Sequence, residues 1–529
     1  MYYKDSTHLI VNDLVQLFVD NVALEQVQDV TKRWYQPQFQ GEEVVIKKDR
    51  PWENVTYFTY SNYAVLRDPA DGLFKCWYED LNVIPGVYPA PLAHHSRQLY
   101  AYSEDGINFI KPELDICLVD GRKTNIVLGD EKYGWVHSAS VIMDPYPPSL
   151  EYRFRTLFSH QWKDAASPRN RIETAHSPDG IHWMVDTHYP RFGMSGPNLN
   201  DVTCLFYDED AREFVQNTRH YLQWAGAINL RSPYTHSFNG PHALDNWALE
   251  SRRRVWQTHS HDFIHWSEPI LAANTDDDED NLDESFYGMS QWKIGTTHLA
   301  FAGVLHYVDN TRDVQLLVSR DGLRWKRTNK RQPFLAARGE GYWDGYMQSI
   351  CSPPIEVGDE LWFYAGGSAC THDLWMCRNE GFVHPEHEDP EKIQLSLGLA
   401  KLRKEGFASI DANAYREGIV TTRALVSLGT KLIINGRCRP GGTIRVEVAD
   451  RYDEVIKPCL KDNCDPFGGD SVNHVVTWKG SPEIPAGNEE RLVWRKLRFF
   501  LKNAELFSFR FAGSNGCPLG ETDKQGGGV

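Results

Sequence analysis

No apolar run among the 529 residues approaches the ~20 residues that a membrane-spanning helix needs. Basic charge is in short supply as well: 56 Lys and Arg stand against 72 Asp and Glu, a formal net charge of −16. That balance argues against nucleic acid as a partner, because phosphate binding needs a basic face. It argues equally against electrostatic docking on anionic lipid. A polyanionic substrate passes the same test, since a local Arg or His pocket opposes the global sign. Paired cysteines of the CxxC type are lacking. Ten Cys are scattered, with Cys459 and Cys464 the one close spacing; Cys76, Cys204 and Cys351 fall inside apparent strands, where a buried thiol acts as a small hydrophobe. The start, Met1-Tyr2-Tyr3-Lys4-Asp5, lacks the basic and then apolar pattern of a signal peptide. The chain therefore reads as cytosolic, or as cut from a longer secreted or periplasmic precursor.

Aromatic residues are plentiful: 12% of the chain, with 17 Trp and 24 Tyr. Sugar rings stack their C–H faces on such side chains, and all-β cores also favour them. The length implies two large units, or one large and one smaller.

A degenerate repeat organises the first of these. Ser103-Glu104-Asp105-Gly106-Ile107-Asn108-Phe109 recurs as Ser177-Pro178-Asp179-Gly180-Ile181-His182-Trp183, as Ser260-His261-Asp262-Phe263-Ile264-His265-Trp266 and as Ser319-Arg320-Asp321-Gly322-Leu323-Arg324-Trp325. A worn fifth copy is Lys404-Glu405-Gly406-Phe407. An alternating apolar run precedes each copy, as in Val314 to Val318, and reads as a strand. Asp-Gly then supplies the φ > 0 turn of a tight hairpin, and the closing aromatic opens the next strand. Copies lie roughly 60 to 85 residues apart, room for a four-stranded blade and its loops. One such unit cannot bury both faces, so the copies must stack radially.

Five further strand pairs begin at Tyr63, Ala139, Val202, Phe286 and Met347. The expectation is an all-β chain: a five-bladed β-propeller over residues 51–405, preceded by a segment 1–50 that packs on the propeller or on the second unit. After about residue 405 the strands shorten and alternate, with turns at Pro440-Gly441-Gly442 and Phe467-Gly468-Gly469-Asp470. Residues 406–513 read as a jelly-roll-like β-sandwich, and 514–529 as a disordered tail.

This arrangement resembles the five-bladed propeller glycosidases of glycoside hydrolase families 32 and 43. It is similar over nearly the whole chain to bacterial proteins of a family-32-like group. The segments Leu17-Phe18-Val19-Asp20, Arg50-Pro51-Trp52-Glu53, Glu284-Ser285-Phe286-Tyr287-Gly288-Met289 and Tyr342-Trp343-Asp344-Gly345 carry that likeness. What the resemblance implies is a carbohydrate partner held in a central funnel. First strands then start at the pocket face and second strands return to it. First-strand starts give Asn62, His137, Asp201, Glu284 and Asp344; second-strand ends give Glu79, His160, Arg219, His306 and His372. Glycosidic cleavage needs one protonated and one ionised carboxyl, and a third carboxylate raises the acid's pKa by repulsion. Asp201, Glu284 and Asp344 are the expected set, with Glu284 as general acid. The related families place an essential Asp on the first blade where this chain has Asn62; Glu53 and Glu79 are the nearby substitutes. The four His are candidate ligands for sugar hydroxyls, Arg219 for a carboxylate or sulfate, and Tyr287 and Trp343 for stacking.

No cofactor is called for. The acidic run Thr275 to Asp280 offers hard oxygens to a structural calcium ion, but lacks the Gly and terminal Glu of an EF-hand loop. The expected activity is removal of a terminal, furanoside-like sugar. A carbohydrate-binding propeller without catalysis and a polysaccharide lyase using His, Tyr or Arg are the competing readings. The sandwich is the candidate surface for homo-oligomerisation.

Overall fold

The computed structural model describes residues 8–82, 95–129, 135–161, 171–186, 190, 202–220, 253–276, 278–281, 283–306, 309–372, 393–485 and 494–513. Among them the fold is all-β, and the helical elements are four single 3₁₀ turns of three residues each.

The repeat region folds as successive antiparallel sheet units. Val55–Tyr57, Tyr63–Arg67, Phe74–Asn82, His95–Ser103 and Ile126–Leu128 form the first. Trp135–Met143, Phe154–Gln161, Arg171–Ser177 and Met184–Val185 form the second. Thr203–Asp208, Glu213–His220, Arg254–Ser260 and Ile270–Ala273 form the third. Glu284–Ile294, Thr297–His306, Thr311–Ser319 and Lys326–Arg327 follow. One parallel bridge, Arg312 to Met347, joins these to a last set: Met347–Ile350, Ile355–Val357, Glu360–Ser368 and Leu395–Arg403. The outer edge of that last set is closed by Gln38–Ile46, an N-terminal strand that pairs with Leu395–Arg403.

The turn chemistry explains the repeat. Asp105 Oδ1 accepts from the N–H groups of Ile107 and Asn108, each at 2.8 Å, while Ser103 Oγ accepts from Gly106 N at 2.9 Å. Asp179, Asp262 and Asp321 repeat the pattern with their own Ser partners. Those donors hold the Asp105 carboxyl well below its usual range. In the third copy Phe263 occupies the left-handed position, at φ 69°, and its ring packs on Phe214 and Trp266.

Two of the turns also seat on a neighbouring sheet. Trp77, fully buried in the first unit, donates its indole N–H to Gly180 O of the second at 2.6 Å. Tyr364 of the last unit donates to Gly106 O of the first at 2.7 Å. Inner strands are stitched likewise. Thr203 Oγ1 donates to Ser138 O at 2.7 Å, Gln257 Nε2 to Gln291 Oε1 at 3.1 Å, and Ser290 Oγ to Ile350 O. Tyr63 OH donates to Ser349 O at 2.9 Å. Followed in order, these bonds run from the first unit through the others and back to it.

Beyond the repeat region, one further connected ten-stranded sheet wraps around its own apolar core. Its long strands are Lys431–Ala449 and Trp494–Ala512, and the N-terminal strands Gln16–Leu17, Leu24–Gln28 and Thr31–Trp34 join it. Asp20 ties it to the repeat region through a two-bonded pair with Arg320, at 2.7 and 2.8 Å.

Candidate active site

Strand starts and strand ends from several units carry polar and aromatic side chains that meet where neighbouring units adjoin. Two of these places involve local distortion. Ser61 and Ser138 have positive φ, 62° and 57°, although neither is Gly, and Ser138 lies where the register slips between His137 and Ser140. Such a bulge re-aims the adjacent side chains, and a non-Gly residue held there costs of order 1 kcal/mol or more. The residues re-aimed are Asn62 and His137. Both meet Glu79, a buried residue near the end of Phe74–Asn82. Glu79 Oε1 pairs with His137 Nδ1 at 2.6 Å, and Oε2 accepts from Ser138 N at 3.0 Å and from Asn62 Nδ2.

Glu284 opens the strand Glu284–Ile294. Its carboxylate accepts from Asn281 Nδ2 at 2.9 Å and lies 3.7 Å from His306 Nδ1. The other nitrogen of His306 meets Asp313 at 2.8 Å. Burial pushes the Glu284 carboxyl upward and the charge of Asp280 adds to it; the Asn281 bond and the His306 charge oppose, and the net shift is upward. Burial depresses the His306 pKa, but the bond and charge of Asp313 and the charge of Glu284 outweigh it, and His306 is raised. A half-buried acid beside an imidazole favouring its cation is an arrangement suited to proton transfer.

Tyr287 lies on the same strand as Glu284 and borders the last sheet unit. It sits at a second register slip, between Phe286 and Gly288, and His372 stands edge-on to its ring at 5.1 Å. The guanidinium groups of Arg312 and Arg253 lie 4.4 and 5.1 Å from the ring centroid. Tyr57, wholly buried, feels Tyr287, Arg312 and Glu79, and burial holds its phenol well above the usual range.

The remaining expected residues are engaged in other contacts or lie outside the described residues. Asp344 is enclosed: both oxygens accept from Arg338 Nε, at 2.7 and 2.9 Å, and Gln348 donates as well. Burial raises its pKa, against the pull of Arg338. Arg338 continues to Glu43, which also accepts from Trp343 Nε1 at 3.0 Å. Asp344 and Trp343 therefore fasten the N-terminal strand to the last sheet unit, and their polar atoms are already engaged. Glu53 is spent similarly, on Lys111 at 2.7 Å, Tyr78 OH at 2.7 Å and two backbone N–H groups. Asp201 lies outside the described residues, as do the side chains of His160 and Arg219, whose backbones occupy strand ends. In the acidic run, Asp280 is paired with Arg327 and Arg331, and Glu279 with Arg331.

Arg312, Arg253, Asp313 and Tyr57 escaped the sequence reading. The signal was present: third strands start at the same face as first strands, and near those starts stand Arg97, Arg171, Arg253 and Arg312.

No protein-family model matches the chain, the two glycoside hydrolase families of the resemblance included, and the comparison with curated proteins finds no relative. Solved structures do show likeness. An N-acetylgalactosamine deacetylase from F. plautii, in complex with blood group B trisaccharide, is 12% identical with a TM-score of 0.42, covering 72% of this chain and 97% of its own. A glycosyl hydrolase from Bacteroides ovatus is 12% identical with a TM-score of 0.43, covering 72% and 96%. A β-1,2-mannobiose phosphorylase from Listeria innocua is 11% identical with a TM-score of 0.42, covering 67% and 92%. Likeness at this level carries nothing about chemistry, which rests on the side chains themselves.

Proposed function

We propose that the ring of sheet units is a five-bladed propeller and that its mouth hydrolyses a glycosidic bond at the end of an oligo- or polysaccharide. The observation that carries this reading is the half-buried Glu284, with a raised pKa, next to the His306–Asp313 pair. A carboxyl of that kind stays protonated long enough to assist the departing oxygen. Asp201, one sheet unit before Glu284 in the chain, is our choice for base or nucleophile. Asp344 we assign to fastening the last unit, because Arg338 and Gln348 take up its carboxylate.

The test is a panel of aryl glycosides and natural oligosaccharides. Glu284→Gln is expected to lower kcat by about 10²–10⁴, the usual worth of a general acid, with little change in sugar binding. A native protein that binds sugars and turns none over sinks the hydrolase in favour of the binding module, for which Asn62, held on Glu79, is the specific support. A product with a new ultraviolet-absorbing C=C bond sinks it in favour of the lyase.

A further inference from the structure

One buried charge has no counterpart. The Arg312 side chain is 1% exposed. Its Nε donates to Gln348 O at 2.9 Å, while Nη1 is shut away from solvent with no hydrogen-bond partner. Among the described residues no carboxylate pairs with it. Its surroundings are aromatic instead: the guanidinium carbon is 4.4 Å from the Tyr287 ring centroid and 5.4 Å from that of Tyr60. Arg253, also buried, brings a second guanidinium to the same Tyr287 ring at 5.1 Å.

A guanidinium cannot shed its proton to escape burial. Its desolvation costs more than a cation–π contact returns. The Arg312 charge is thus buried without a carboxylate partner among the described residues, in a protein whose net charge is −16. That charge is the complement of an anionic ligand. With Nε already committed to Gln348, the two Nη groups of Arg312 remain, and their coplanar N–H bonds match the two oxygens of a carboxylate. A neutral hydroxyl accepts one of those bonds and leaves the charge uncompensated.

We propose that Arg312 is the recognition point for a carboxylate on the sugar, so that the mouth takes an acidic sugar of the uronic type. This rests on the reading of the mouth as a carbohydrate site. The guanidinium is nearly covered, so admission of the carboxylate requires a neighbouring side chain to swing aside.

The experiment is calorimetric titration of the full chain at low salt with glucuronate and galacturonate. Glucose and galactose serve as neutral counterparts, and inorganic phosphate as a third arm. The uronates are expected to bind at least tenfold more tightly than the neutral sugars. Arg312→Lys, which keeps charge and most of the volume, should lose about tenfold of that preference, and Arg312→Gln all of it. Circular dichroism verifies that each variant is folded; if Arg312→Gln is not, Arg312→Lys decides alone. Equal affinity for acidic and neutral sugars overturns the proposal, as does a uronate preference unchanged in Arg312→Lys, or binding of phosphate without uronate. Failure here is separable from failure of the hydrolase. Turnover of neutral glycosides without uronate preference removes only the acidic-sugar assignment, whereas Arg312-dependent uronate binding without turnover removes only the hydrolysis.

Discussion

Two glycines with nearly the same backbone offer a measurement of how the sheet units are stacked. Gly180 has φ 81° and Gly72 has φ 77°, so replacing either by Ala costs about the same 1–2 kcal/mol of left-handed strain. The difference is what the new methyl meets. At Gly72 nothing lies within 4 Å, whereas at Gly180 the added Cβ comes 2.3 Å from Trp77 Cζ2 and 3.1 Å from Cε2. Trp77 is fully buried between Tyr100 and Phe154, with ring centroids at 5.6 and 5.4 Å, so it cannot retreat without opening that packing. Overpacking of this kind costs about 1–3 kcal/mol. Weakening the Trp77 bond to Gly180 O, now 2.6 Å, adds roughly 1 kcal/mol. Gly180→Ala is therefore expected to exceed Gly72→Ala by about 2–4 kcal/mol. Urea unfolding followed by tryptophan fluorescence reads the difference as a shift in midpoint at constant slope. Equal midpoints for the two variants would refute the seating of the second unit's turn on Trp77, and with it the stacking of adjacent sheets.

Two other perturbations separate support from chemistry. Asp344→Asn leaves the partly exposed Arg338 with Glu43 as its remaining carboxylate partner. It should destabilise by about 2–3 kcal/mol, below the usual cost of breaking a buried pair, while folded protein keeps its kcat, and steady-state kinetics beside urea melts check both halves. His306 has a folded pKa above its ordinary 6.5 once the bond and charge of Asp313 overcome burial, so its contribution to stability is complete below about pH 6.5. That contribution fades as the pH rises through the raised value. Asp313→Asn should flatten the decline in urea midpoint as the pH rises above about 6.5, and an unchanged slope would show that His306 is not the group responsible.

What the sequence made legible was the part governed by local chemistry. Ser-x-Asp-Gly writes a turn in four adjacent residues, and even Phe263, in the position of a glycine, keeps the Ser260 and Asp262 bonds. Glu284 and His306 were singled out as a strand start and a strand end under the rule that the propeller resemblance implies, and the structure places them 3.7 Å apart. Asp344 misled for a reason that spacing cannot express: its partner Arg338 is close in sequence, but Arg338 is itself engaged by Glu43, some 300 residues away in the chain. The pairing of Glu79 with His137 depended on a bulge at Ser138, and a polar residue at positive φ leaves no trace in a hydrophobic pattern. Arg312 went unseen because third strands were left out of the geometric rule.

The strand Gln38–Ile46 has a consequence for how the protein is made. It leaves the ribosome early, yet the edge it completes, Leu395–Arg403, is synthesised roughly 350 residues later. Throughout that interval the strand stays unmatched on the nascent molecule, a template for the wrong neighbour. Joining strand and edge is a loop closure spanning most of the polypeptide, so the final clasp is expected to be the slow event in assembly and the natural point for a chaperone to stand guard.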